Sequence, residues 1–189
     1  MRTHGWRLLF TPFSWETPGH SGFPYALDNG AWTCFQKGRP FDEAAFSRHV
    51  RAFGGAADWT VIPDVVAGGR ASLDLSIRWM RTVLDECQRG MLAVQDGLTV
   101  DDVRAFVGPR VGIFVGGSTP WKLSTAAEWG RLAREVGAWL HIARVNTAKR
   151  IRLCAMAGAD SFDGTSPTRF SVTTPMLSHA RDQGVLPLC

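Results

Sequence analysis

Short apolar runs alternate with longer stretches of helical spacing along this chain. Residues 6–13, 25–28, 59–66, 91–95, 111–115, 139–145 and 160–163 read as strands, each apolar and closed by Gly, Pro, Asn, Asp or Ser. Between them, residues 41–53 have helical spacing behind the N-cap candidate Asp42. Residues 71–86 place Leu73, Ile77, Met80 and Leu84 on one helical face. Further helices are predicted over 100–107, 125–137, 147–157 and 174–183. The stretch up to Gly22 reads as a Pro/Gly/Ser-rich loop, and residues 25–28 run into an Asn-Gly turn.

Strand alternating with helix at this rhythm implies βα units and a parallel sheet. Roughly seven or eight units point to a compact (β/α) barrel, although about 250 residues is usual for that fold. A doubly wound open sheet is the alternative. Several strands end on a polar residue followed by a turn: Leu27-Asp28-Asn29-Gly30, Pro63-Asp64, Val94-Gln95-Asp96-Gly97 and Phe162-Asp163-Gly164. In a parallel α/β fold these ends gather on one rim, where the chemistry of such folds sits. Several carboxylates on one rim favour an enzyme over a scaffold.

Composition narrows the picture only modestly. With 189 residues, 45% of them apolar, the chain is expected to form a single domain over residues 1–189. A formal charge of +4 and a pI near 9.2 permit an anionic partner without demanding one. Cys34, Cys87, Cys154 and Cys189 form no C-x-x-C pair, which argues against a disulfide framework or structural zinc and suits a reducing cytoplasm. No apolar run reaches membrane-span length, so no membrane partner is expected, and the N-terminus lacks a signal-peptide pattern. The histidines show no metal-like spacing. His141 alternates with apolar neighbours, as core histidines do.

Taken in order, these motifs resemble the tRNA-guanine transglycosylase superfamily, and most closely its compact phage-type branch, the DpdA-like transglycosylases that place 7-deazaguanines in DNA. Leu27-Asp28-Asn29-Gly30-Ala31-Trp32 resembles the family's Asp-Ser-Gly-Ala-Phe segment, and Val94-Gln95 its Val-Gln-Gly strand end. Gly116-Gly117-Ser118 resembles its Gly-Gly-Leu/Ser loop. Phe162-Asp163 with Pro167-Thr168-Arg169 resembles Phe-Asp-Cys-Val-x-Pro-Thr-Arg. The resemblance covers about residues 25–169.

It implies exchange of guanine for a 7-deazaguanine such as 7-cyano-7-deazaguanine, with no cofactor. Asp163 would be the nucleophile and Asp28 the general acid/base. Asp64, Gln95, Gly116, Gly117 and Ser118 would bind the base, while Lys122 and Arg169 would contact nucleic acid. Arg144, Lys149, Arg150 and Arg152 are further cations near the motifs, and Trp32, Phe114 and Trp121 are aromatic rings near them. Two departures stand out. About twenty residues follow Arg169, and His179 and Cys189 cannot fill the family's four-ligand zinc site, so its zinc subdomain is expected to be absent. Gly164 replaces the family's cysteine, a change expected to leave the chemistry unaffected. DNA is the expected substrate. The alternatives are a tRNA-guanine transglycosylase with an abbreviated C-terminus and a purine- or nucleic-acid-binding module without turnover.

Overall fold

The computed structural model of the protein describes residues 6–165 and 174–183. Seven strands, β1 (Leu8–Phe10), β2 (Tyr25–Leu27), β3 (Thr60–Val61), β4 (Gly90–Val94), β5 (Val111–Val115), β6 (Leu140–Ile142) and β7 (Ser161–Phe162), form one sheet. Every pairing is parallel, and the strands lie side by side in chain order. A doubly wound sheet reverses its strand order at a switch point, and this one never does. Each crossover steps in the same direction, so the sheet curls into a partial barrel of TIM type. No β1–β7 ladder closes it among the described residues. Instead the Trp6 ring meets Phe162 edge-on at 5.8 Å and donates its indole N–H to Ser178 at 3.0 Å.

Eight α-helices are described: α1 (Pro18–Ser21), α2 (Ala31–Gln36), α3 (Glu43–Phe53), α4 (Arg70–Glu86), α5 (Val100–Val103), α6 (Thr119–Val136), α7 (Ala148–Ala157) and α8 (Thr174–Gln183). Asp42 caps α3 by accepting from the Ala45 N–H, and Thr147 caps α7 through the Arg150 N–H. The apolar faces of α4, α6, α7 and α8 bury Leu73, Trp129, Leu132, Ile151 and Leu177 against Ile113, Leu140 and the other outward residues of the sheet. Each of these side chains, once buried, contributes about 1.5–3 kcal/mol of transfer free energy.

Several boundaries differ from the sequence reading. The helix expected from residue 125 begins at Thr119, because Ser118 accepts from the Trp121 N–H and Pro120 occupies the first turn, where its missing N–H costs nothing. The short helices α1 and α2 occupy stretches read as loop and turn; at four and six residues they are too brief to show a period. Apolar Ala143 and Val145 are buried outside β6, their N–H groups taken by the carbonyls of Val115 and Asp163. No described helix is long and apolar enough to cross a membrane.

Candidate active site

Side chains alternate across a strand with a period of two, so the two faces of the sheet can be followed residue by residue. Ala26, Val61, Met91, Ala93 and Phe114 cluster together on the face away from the helices, the concave side of the curled sheet. Two residues on from Ala26, Ala93 and Phe114, at the carboxyl ends of their strands, stand Asp28, Gln95 and Gly116. Asp163 stands two residues beyond Ser161 in the same way. Parallel pairing in chain order brings these positions to one rim.

Asp28 is half-buried there. Burial, then the charges of Asp64 and Asp163, push its carboxyl up to about 7 from the ordinary 3.8. Both carboxylates are therefore close enough to act on it. Asp64 is also half-buried and pushed up to about 6 by burial, against the opposing effect of bonds from Asn29 and Gln95. Those two amides clamp it from either side. Asn29 Nδ2 donates to Asp64 Oδ1 at 2.7 Å and to the Ile62 carbonyl at 2.9 Å, while Asn29 Oδ1 accepts from the Ala31 N–H. Gln95 Nε2 lies 2.5 Å from Asp64 Oδ2, 3.0 Å from the Val65 carbonyl and 3.2 Å from Ser72 Oγ. Gln95 is thus buried as a support for Asp64.

At the carboxyl end of β7, on the same rim, Asp163 Oδ1 lies 3.0 Å from His141 Nε2 and accepts the Arg144 backbone N–H at 3.1 Å. Arg144 has a left-handed backbone, φ +59°, a strained conformation for a residue with a side chain. Its guanidinium donates to the Gly117 carbonyl and lies 5.1 Å from the centre of the half-exposed Trp32 ring. Trp32 in turn stacks on Phe35 at 5.7 Å.

The glycine loop is tied down by a residue outside the expected set. Ser118 donates both its N–H and its hydroxyl to Asp96, at 2.6 Å each, which holds the Asp96 carboxyl below the ordinary carboxylate range. Gly117 has φ +67°, and a Cβ there would fall 2.5 Å from Asp96 Oδ2, so only glycine lets the loop close on that carboxylate. Gly116 gives its N–H to the Val94 carbonyl.

Lys122, expected on the nucleic-acid surface, is instead buried on α6. Its ammonium donates to the Ala143 carbonyl, and burial lowers it to about 8. This arrangement braces the loop after β6 from behind, and the amine is not exposed to a phosphate. Arg169 lies outside the described residues, as do Pro167, Thr168 and Cys189. Cys34, Cys87 and Cys154 are free thiols, all buried. Among the described residues no group of three or more His, Cys, Asp or Glu is arranged to hold a metal.

Gly164 matters more than its place in the motif suggested. A Cβ there would fall 2.2 Å from the Val145 carbonyl oxygen and 2.7 Å from Asn146 Oδ1. The loops after β6 and β7 touch at this point, with the Val145 N–H bonded to the Asp163 carbonyl. Gly164→Ala must push them apart and is expected to cost about 1–3 kcal/mol in a urea melt, displacing Asp163 as well.

His141, Asn29 and Asp96 are the site residues that sequence reasoning left without a role. The period of two could have found His141, which stands on the concave face in register with Ser161. No protein-family model and no curated protein matches the chain, so the site rests on its own geometry.

Proposed function

We propose that this protein is a guanine transglycosylase, exchanging guanine for a 7-deazaguanine base in nucleic acid, DNA rather than tRNA, through a covalent aspartyl–sugar intermediate. The observation that carries this reading is one rim with carboxyls in unlike settings. Asp28 is held near 7, half protonated at neutral pH, beside Asp163, whose Oδ1 accepts the Arg144 N–H and lies 3.0 Å from His141 Nε2. Base exchange with a covalent intermediate needs that division of labour, one group to attack and another to give and retake a proton. The logic is that of retaining glycoside hydrolysis, where two displacements occur at one anomeric carbon.

Asp163 attacks C1′ of the nucleoside while Asp28 protonates the departing guanine. The incoming base then loses its proton to Asp28 and displaces Asp163. Asp64, at about 6, is mostly ionised at neutral pH and accepts from the ring N–H and amino group of guanine, the edge that sets guanine apart from adenine. The carbonyl side of the base faces Gly117, since the Gly116 N–H is already engaged. Trp32, with the Arg144 guanidinium against it, offers an aromatic face for a base taken out of the stack. No structural zinc is needed for any of these steps. The compact branch of the family, which the motifs resemble most, supports DNA.

Calorimetric titration with free 7-cyano-7-deazaguanine tests the pocket. Wild type is expected to bind it, and Asp64→Asn to bind about 10- to 100-fold more weakly, since one charged acceptor is exchanged for an amide that meets the base's donors with one of its own. Equal affinity in the two proteins would remove Asp64 from base recognition.

A further inference from the structure

Asp163 has two oxygens, and only one of them can bond to the sugar. We propose that a chain of donors, Trp139 to Ser161 to His141, delivers an N–H to Oδ1 of Asp163 and leaves Oδ2 to react, which makes His141 the positioning residue of the nucleophile. The inference rests on the transglycosylase reading and adds a residue and a stereochemistry to it.

The direction of the chain follows from what each group can do. An indole N–H can only donate, and Trp139 Nε1 lies 3.0 Å from Ser161 Oγ, so Ser161 accepts there. The Ser161 hydroxyl hydrogen then has His141 Nδ1 within reach, at 2.8 Å. With Nδ1 accepting, the neutral imidazole carries its proton on Nε2, 3.0 Å from Asp163 Oδ1. An ionised carboxylate can only accept, so this tautomer fits, whereas the other would set a nitrogen lone pair against the carboxylate oxygen. The ring is held in this orientation. It is buried, lies parallel to Phe114 within 12° at 4.8 Å, and abuts Trp59 at 4.7 Å. The Arg144 N–H reaches the same oxygen, so both donors converge on Oδ1.

In the first half-reaction an Oδ2 lone pair forms the bond to C1′ as the bond from C1′ to the base nitrogen breaks. The released electron pair leaves with guanine, which takes the Asp28 proton. Oδ1 becomes the carbonyl oxygen of the ester and keeps both N–H contacts. In the second half-reaction the incoming base gives its proton to Asp28 and its nitrogen pair to C1′, and the C1′–Oδ2 pair returns to Asp163. Donors on Oδ1 stabilise the carboxylate that is leaving, so they assist this second half more than the first. Loss of the His141 donor should therefore let the covalent intermediate accumulate.

His141→Phe keeps an aromatic ring for Phe114 and Trp59 but removes the donor; His141→Gln restores an N–H near the same place. Turnover in His141→Phe is expected to fall about 10- to 100-fold, with KM for the nucleic acid falling alongside it so that kcat/KM changes little, and a longer-lived adduct by intact-mass analysis. His141→Gln should recover most of the rate. Independently of activity, the ¹⁵N spectrum of the histidine ring should show the Nε2–H tautomer in wild type and a mixture in Ser161→Ala. A neutral ring protonated at Nδ1 would overturn the proposal, as would a His141→Phe variant with wild-type turnover and adduct lifetime. If wild type releases no guanine from DNA or tRNA, the transglycosylase reading falls, and the ring spectrum alone then accepts or rejects the donor chain.

Discussion

Asp163→Asn is expected to lower guanine release from nucleic acid by at least about 10⁴-fold and to abolish the covalent adduct, because an amide oxygen is a far weaker nucleophile than a carboxylate. The substitution is nearly isosteric. The asparagine carbonyl can still accept from His141 and from the Arg144 N–H, so the loop after β7 keeps its contacts. It also removes one of the two negative charges that raise Asp28. The variant should therefore be inactive yet at least as stable as wild type at alkaline pH. Single-turnover guanine release, followed beside a thermal melt, separates this outcome from loss of the fold. Activity within tenfold of wild type would remove Asp163 from the chemistry.

Asp28→Asn has the second largest expected effect, and it has two signatures. The first is kinetic: a general acid near 7 must be protonated to release guanine, so the wild-type rate should decline above about pH 7, and the variant should lose both the rate and that limb of the profile. The second is a stability change whose sign is fixed by linkage. Asp28 binds its proton more tightly folded, at about 7, than unfolded, near 3.8. Any group with a raised folded pKa contributes fully below the unfolded value and loses that contribution as pH rises through the folded one. Wild type should thus weaken from about pH 4 to pH 7–8, and Asp28→Asn should escape that loss. At pH 8 the variant is expected to be more stable by on the order of 3 kcal/mol, with the gap closing toward pH 4. Urea melts across this range measure it directly. A variant less stable than wild type at pH 8 would mean that Asp28 is not held in a hostile setting.

Much of the architecture was legible before any coordinates. The apolar runs at Gly90–Val94 and Val111–Val115, and the capped helices at Asp42 and Thr147, carried strong local signals that tertiary packing then reinforced. The curl of the sheet was not legible from any one segment. It follows from strand order, a property of all seven crossings together. Within the candidate site, Asp28, Asp64, Gln95 and Asp163 were singled out because each closes a strand within motifs that resemble the transglycosylases, and the fold brings that class of position to one rim.

What escaped notice was relational. Lys122 reads as a surface cation until α6 turns it inward onto the Ala143 carbonyl. Gly164 reads as a tolerant substitution until the Val145 carbonyl is seen pressed against it. His141 reads as a core histidine, and it is one. Its second role depends on Asp163 arriving from a strand that is neighbouring in space and 22 residues away in sequence. Ser118 and Asp96 likewise hold each other across 22 residues, which fixes the glycine loop expected to meet the base.

The central claim, base exchange at a guanosine through Asp163, is tested most directly by guanine release. Wild type and Asp163→Ala are incubated with DNA or tRNA carrying radiolabelled guanine, together with 7-cyano-7-deazaguanine, and the free label is counted. The account predicts release from DNA by the wild type alone, dependent on the incoming base and absent with Asp163→Ala. Release from tRNA instead would keep the chemistry and change the substrate. No release from either nucleic acid, in protein that binds the free base, would contradict the account and leave a purine-binding module in its place.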